Sequence, residues 1–209
     1  MPIKSKPKVT TASMDRVYRV GIDEVPKRLT LNEQEHLRLT FIAMPGLTAD
    51  IPFEINIGRA GVNLEIFGLY LCPHSEKVRF NVTVRHLVGG SHSSQLFRGI
   101  VGGTAKAEFD GLVYVAKDAQ KTEAFQENHS LLLNTGAIVE TRPQLEIYAD
   151  DVKCSHGATT GYLNPDELFY LRSRGIPEAE ARRLQMISFI SPVVSHLPEE
   201  VRNQVISRL

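Results

Sequence analysis

A series of short alternating runs, separated by turns that contain glycine, asparagine or aspartate, limits what this chain can fold into. In the clearest run, residues 78–85, four apolar side chains alternate with Arg79, Asn81, Thr83 and Arg85. A period of two predicts strands with one buried face. Similar runs lie at residues 17–20, 37–42, 51–57, 95–101, 105–115, 130–133 and 137–141. The spacing between runs has no strict repeat, so the residues alone fit both a β-sandwich and an irregular β-helix.

Composition favours a soluble protein with a single core. The chain has 209 residues, of which 42% are hydrophobic, and its 24 Lys and Arg residues balance its 24 Asp and Glu residues. This balance argues against a nucleic-acid or anionic membrane partner. No apolar run approaches the roughly 20 residues that span a bilayer, and residues 1–13 contain no hydrophobic signal segment. We therefore expect a cytoplasmic protein whose Cys72 and Cys154 are free thiols or metal ligands.

The stretch at residues 143–161, PQLEIYADDVKCSHGATTG, carries the most chemistry. Two strand-like runs are joined by a pair of aspartates, and Cys154 and His156 share one face of the second run. The thiol and the imidazole then lie roughly 7 Å apart along the strand. Thiolate and imidazole suit iron, zinc and copper(I), although spacing alone favours a packed cysteine and a hydrogen-bonded histidine. We expect residues 157–161 to form a glycine-rich loop.

Two other kinds of site stay open at this stage. Cys72 and His74 form a second Cys-x-His pair, and two such pairs suggest a Cys2His2 zinc site, although the usual two-residue ligand spacing is missing. His86, His92 and His129 lie in or beside strand runs and stay unassigned.

A third kind of site rests on carboxylates. Glu146, Asp150 and Asp151 suggest the acidic groove of a β-helix carbohydrate enzyme, but paired aspartates are also ordinary turn residues. Neither GxxxxGK[ST] nor GxGxxG occurs in the chain, so neither nucleotide-binding motif is present.

The period changes to that of helices after residue 163. Asn164 is an N-cap followed by proline and two acidic residues, and the helix that it starts is expected to end at Gly175. A second helix starts at Pro177 and a third at Pro198, with Pro192 expected to kink or restart the second. The predicted apolar stripes are Leu184, Ile187, Ile190 and Val194 in the second helix, and Val201, Val205 and Leu209 in the third.

Residues 145–176, LEIYADDVKCSHGATTGYLNPDELFYLRSRGI, closely resemble the core of the SufB/SufD family of iron-sulfur cluster assembly proteins, most closely its SufD branch. A looser resemblance extends upstream through residues 98–137. It implies a mainly β fold: a right-handed parallel β-helix core at residues 14–162 with a small C-terminal α-helical segment at 163–209. Residues 1–13 are expected to be a loose lead-in, which leaves no room for the N-terminal helical region of SufD-like chains.

The resemblance also implies a function: a SufD-like scaffold or accessory component that is not itself an enzyme. It acts with a SufB-like partner chain and with a SufC-like ABC ATPase that docks on residues 164–209. His156, with Cys154 beside it, is expected to contribute a transient iron-sulfur cluster or iron site at the partner interface, empty in the isolated protein. A homodimer is expected when the chain is alone. The alternative is a structural or zinc-binding β-domain.

Overall fold

The computed structural model describes residues 14–33 and 35–209, so the predicted lead-in at residues 1–13 lies outside the described residues. Eleven described strands are followed by three helices. The strands are β1 (Met14–Arg19), β2 (Arg28–Leu31), β3 (His36–Ala43), β4 (Ala49–Ile57), β5 (Asn63–Cys72), β6 (Lys77–His86), β7 (His92–Val101), β8 (Lys106–Val115), β9 (Glu123–Leu132), β10 (Ile138–Ile147) and β11 (Lys153–Tyr162). The helices are α1 (Pro165–Ser173), α2 (Glu178–Val194) and α3 (Glu199–Ile206).

The strands alternate between two sheets as the chain advances. Odd-numbered strands form a six-stranded sheet in the order β1-β3-β5-β7-β9-β11, and even-numbered strands form a five-stranded sheet in the order β10-β8-β6-β4-β2. Every pairing among the described strands is parallel. A sandwich of hairpins requires antiparallel neighbours, so this topology confirms the predicted parallel β-helix, also called a β-solenoid.

The space between the two sheets holds the main core. Four phenylalanines, on β3, β6, β7 and β8, point into the interior and are at most 1% exposed: Phe41, Phe80, Phe97 and Phe109. Their rings pack edge-on or tilted, with centroids 5.4 Å apart for Phe80 and Phe97 and 4.7 Å apart for Phe97 and Phe109. Burial of each such ring is worth about 1.5–3 kcal/mol, which makes this stack a main source of solenoid stability.

A second core lies on the outside of the six-stranded sheet. There α2 and α3 cover outward-facing side chains of the sheet such as Ile42, Leu69 and Ile100, using Ile190 and Val205 among others. This cover explains why β5 was missed in the sequence. Its run NLEIFGLYLC is apolar on both faces because one face meets the interior and the other meets α2, so no alternation is visible.

Several strand predictions need correction. β2 was not predicted, and β9 begins seven residues before the predicted run at 130–133. The runs at 137–141 and 145–149 belong largely to one strand, β10, which tolerates Pro143 because it is the edge of its sheet. The predicted loop at residues 157–161 is wrong, since all five residues continue β11 in register with β9.

The helical segment follows the prediction with two changes. The side chain of Asn164 caps α1 by accepting hydrogen bonds from the N–H groups of Asp166 and Glu167, at 2.9 and 3.3 Å. Pro192 does not restart α2, because it lies in the last turn and the helix continues to Val194. The predicted stripe of α2 is only partly buried: Leu184 is exposed, whereas Ala181 and Gln185 face inward.

Candidate functional site

Cys154 and His156 lie on the last strand of the solenoid. β11 is the edge of the six-stranded sheet and pairs only with β9 among the described strands, which places Cys154 beside Ala124 and His156 beside Gln126. Alternation along the strand puts both side chains on the same face, as predicted. The other side of β11 has unpaired backbone groups, so the pair lies on an open strand edge rather than in an enclosed pocket.

The two donors have different surroundings. Cys154 is half-buried and packs with Ala124, Ala149 and Val152 in a small cluster at the end of the solenoid. Burial raises the pKa of its thiol, and a hydrogen bond with the backbone of Ala124 offsets part of that increase. His156 is exposed. The imidazole is therefore the more accessible donor, and the thiol needs a positively charged neighbour such as a metal ion before it ionises readily.

The interior of the solenoid becomes polar as it approaches this pair. The positions in register with His156 read Ile66 on β5, Gln95 on β7 and Gln126 on β9. The amide of Gln126 donates to the carbonyl oxygen of Gln95 at 3.1 Å, and both side chains are at most 2% exposed. Polar groups buried at this depth need partners, so they point to a specified arrangement and not to generic packing. No alternation or spacing in the sequence predicts this row of buried amides.

Three histidines left unassigned from the sequence, His86, His92 and His129, contact neighbours outside this pair. His86 is fully buried, with Nε2 2.8 Å from Ser93 Oγ, and burial lowers its pKa to about 4. His129 lies on the outer face of β9, where Nδ1 is 2.7 Å from Thr159 Oγ1 and Nε2 is 3.1 Å from a Glu127 carboxylate oxygen. Nδ1 of His92 lies 3.7 Å from a carboxylate oxygen of Glu123. Each of these three rings therefore has a polar neighbour outside the Cys154–His156 pair.

The second Cys-x-His pair does not form a site. Cys72 is 0% exposed and burial raises the pKa of its thiol to about 12, whereas His74 is exposed. Cys72 is in register with Tyr162 through Val101 and Leu132, eight residues along β11 from Cys154. At about 3.3 Å per residue, that offset separates the two cysteines by roughly 26 Å along the strand direction. The two Cys-x-His pairs are therefore too far apart for the Cys2His2 alternative, and the burial of Cys72 fits a structural role.

The paired aspartates occupy a turn, as the simpler interpretation predicts. The backbone N–H of Asp151 donates to Gln120 Oε1 at 2.9 Å, its carbonyl accepts from Lys121 N–H at 2.7 Å, and its carboxylate pairs with Lys121 Nζ. These contacts join the turn before β11 to the turn before β9. No acidic groove is needed to explain Asp150 and Asp151.

The chemistry available at the pair is that of an incomplete soft-donor site. Across residues 14–33 and 35–209, no cluster of three or more His, Cys, Asp or Glu side chains is arranged to hold a metal ion. Iron and zinc bind four ligands in most thiolate and imidazole sites, so two donors need others from elsewhere. Nor is any described helix long and apolar enough to cross a membrane.

The fold defines the class: a parallel β-solenoid with helices on one outer face and a Cys-x-His pair on its last described strand. Comparison with known families gives the particular family. A family model described as "SUF system FeS cluster assembly, SufBD core domain" matches residues 6–189. The chain belongs to the SufB/SufD family.

Curated relatives carry the same description. The chain is 43% identical over 147 residues to the iron-sulfur cluster assembly protein SufD of Escherichia coli, covering 70% of this chain and 35% of that protein. It is 45% identical over 176 residues to an iron-sulfur cluster assembly SufBD family protein of Synechocystis, covering 78% and 39%. It is 37% identical over 129 residues to SufD of Bacillus subtilis, covering 61% and 30%. The chain thus spans roughly a third of the length of these relatives.

Proposed function

We propose that this chain is the core of a SufD-like component of iron-sulfur cluster assembly, a scaffold and not an enzyme. The proposal rests on the family match over residues 6–189, together with an exposed His156 on an unpaired strand edge. Iron or a nascent cluster is the cargo of this scaffold. His156 is its main ligand and Cys154 a second one, both used only while cargo passes through the complex.

A partner chain completes the site. His156 and Cys154 supply two ligands, and the described residues offer no third beside them. The same end of the solenoid exposes Ile147, Tyr148 and Tyr162, the two tyrosines at 58% each. An open edge with apolar neighbours is a surface that pairs with another strand. A SufB-like chain is the proposed partner at this edge, and a second copy of this chain replaces it when the chain is alone.

The ATPase docking surface is proposed to centre on α1. Within α1 no side chain is buried, and Phe169 is 74% exposed beside Tyr170 at 56%. A groove of about 490 Å³ between α1 and α2 is lined by Tyr170, Leu171 and Leu184 and edged by Asp166 and Glu167. A patch of exposed apolar side chains with an acidic edge is typical of a surface that binds a protein partner. A SufC-like ABC ATPase is the partner proposed for it.

Cluster assembly by the complex tests the proposal. This chain, its SufB-like partner and the ATPase are incubated anaerobically with iron and sulfide, and the cluster yield is followed by absorbance and by iron and sulfide analysis. We expect His156→Ala to reduce the yield at least tenfold and Cys154→Ala to reduce it less, since the thiol is half-buried. His129→Ala is the matched control, because it removes a histidine from the adjacent strand on the opposite face.

Two results would count against the proposed role. If His156→Ala and Cys154→Ala both assemble clusters as well as the parent, the pair is not a cargo site. If His129→Ala is as damaged as His156→Ala, the loss reflects disturbance of β9 and β11 in general. Circular dichroism and partner co-purification of each variant separate a lost site from a lost fold or a lost complex.

A further inference from the structure

Gln126 lies directly beside His156 in the solenoid. The two residues are partners in the β9–β11 register, so their side chains project from the same face of adjacent strands. Strands in a sheet are about 4.8 Å apart, which brings a glutamine amide within reach of a neighbouring imidazole. Gln126 is 0% exposed, and its Oε1 is buried with no hydrogen-bond partner in the described part of the chain.

Two contacts determine how the amide of Gln126 lies. Its Nε2 donates to Gln95 Oε1, on the side away from β11. A Cβ added at Gly111, on the five-stranded sheet, would lie only 2.4 Å from Oε1 and 2.6 Å from Nε2, so the amide occupies the space that a side chain there would fill. Because Oε1 and Nε2 diverge from the same carbon and Nε2 is directed at Gln95 on β7, Oε1 is directed away from β7.

No neighbouring polar side chain on β9 offers a free acceptor to His156. On β9 the inward positions flanking Gln126 are Ala124, which has no polar side chain, and Asn128. The carbonyl oxygen of Asn128 already has hydroxyl donors within reach, those of Tyr70 at 3.2 Å and Ser130 at 3.3 Å. Gln126 therefore carries the free buried acceptor nearest to His156 in register.

We propose that Gln126 is a positioning residue for His156: when the exposed imidazole turns in toward β9, the unpartnered Oε1 of Gln126 accepts its N–H and thereby selects one tautomer. A neutral imidazole has one N–H and one lone-pair nitrogen, and fixing the first leaves the second directed at a ligand. Histidines that bind metals are oriented in this way by a carbonyl or carboxylate. The inference deepens the proposed function, on which it rests, by naming the residue that prepares the cargo ligand.

The tautomer of His156 can be measured in the metal-free chain by long-range ¹H–¹⁵N NMR correlation, with each variant held at a pH where its imidazole is neutral. We expect one dominant tautomer in the parent chain. Gln126→Met keeps the length of the side chain but removes the acceptor, and it should lower the tautomer ratio about fivefold, the factor that one ordinary hydrogen bond supplies. Asn128→Leu, a buried amide lost two residues away, should leave the ratio unchanged.

Gly111→Ala gives a second test that leaves both residues of the pair intact. The new methyl group must displace the amide of Gln126, so it should change the tautomer ratio in the same direction as Gln126→Met. An equal ratio in the parent, Gln126→Met and Gly111→Ala would overturn the inference while leaving the proposed function standing. A shifted ratio together with full cluster assembly by His156→Ala would support the inference and overturn the proposed function.

Discussion

Tyr70 on β5 is hydrogen-bonded to Ser130 on β9, two strands away in the same sheet, with 2.8 Å between the hydroxyl oxygens. The strand between them is β7, whose residue in register with both is Gly99. A Cβ at Gly99 would lie 1.7 Å from the tyrosine ring, so the ring crosses the strand where a side chain is missing. Burial raises the pKa of Tyr70 to about 12, which keeps its phenol protonated as a donor.

Gly99→Ala should lower the free energy of unfolding by about 1–3 kcal/mol, because the methyl group displaces a buried ring and separates Tyr70 from Ser130. Urea denaturation followed by circular dichroism measures the change. Gly161→Ala is the matched control: nothing lies within 4 Å of its added Cβ, so it should be neutral or slightly stabilising. Equal stability of the two variants would contradict the packing described for Tyr70.

His86 makes the stability of the solenoid depend on pH. Burial lowers its folded pKa to about 4, below its ordinary value of 6.5, so the unfolded chain binds more protons between these pH values. Stability should therefore be complete above pH 6.5 and decrease as the pH falls toward 4, by about 1.4 kcal/mol per pH unit. Denaturation curves of the parent and His86→Gln at several pH values isolate this contribution. If the free energy of unfolding changes with pH equally in the parent and in His86→Gln, His86 does not titrate as its burial requires.

Glu76 joins two turns through backbone donors. It is 4% exposed, and its carboxylate accepts from the N–H groups of Gly46 at 2.9 Å and His74 at 2.8 Å. Burial alone would raise its pKa, but these hydrogen bonds hold the pKa below the ordinary value.

Glu76→Gln should therefore cost about 1–3 kcal/mol at neutral pH, since the new amide group cannot accept from both donors. The difference from the parent should persist above the ordinary pKa of 4.5 and shrink as the pH falls through the lower folded value. Glu146→Gln, an exposed change on β10, is the control for loss of one negative charge. A constant difference down to pH 3 would contradict the hydrogen-bonded carboxylate.

If the SufC-like ATPase docks on α1 as proposed, Phe169→Ala should weaken co-purification with it at least tenfold, because a side chain 74% exposed in the free chain is available for a partner. Its thermal unfolding midpoint should not change, since α1 buries no side chain. Leu87→Ala, which truncates another exposed apolar residue in the turn after β6, should leave binding intact. Deletion of residues 163–209 is a poorer test, because α2 and α3 cover the outer core. Undiminished binding by Phe169→Ala would argue against docking on α1.

Much of this fold could be predicted from alternation, turns and the resemblance. The strand at residues 78–85 and the shared face of Cys154 and His156 follow from a period of two. The repeat itself was hidden because coil length varies: the positions paired across successive strands are 27 residues apart for His36 and Asn63 but 31 apart for His92 and Glu123. The register of one coil against the next therefore could not be predicted from the sequence.

The residues around the candidate site show the consequence. Gln126 and His156 are 30 positions apart, and only the coil register makes them neighbours. Gln126 is followed by Glu127 in an ordinary polar run, so nothing in the sequence marks Gln126 as buried. The strand at residues 157–161 was predicted as a loop because glycines usually end strands, yet an edge strand tolerates Gly157 and Gly161 in open space.

Pulsed electron paramagnetic resonance can detect the proposed contact between the imidazole of His156 and the iron of the cargo. The complete complex is loaded with iron and sulfide and reduced to a paramagnetic state. Nitrogen hyperfine coupling from a histidine is then sought in the parent, His156→Ala and His129→Ala proteins. We expect coupling in the parent and in His129→Ala and none in His156→Ala. Coupling that survives in His156→Ala, or its absence from the parent, would contradict the proposed contact.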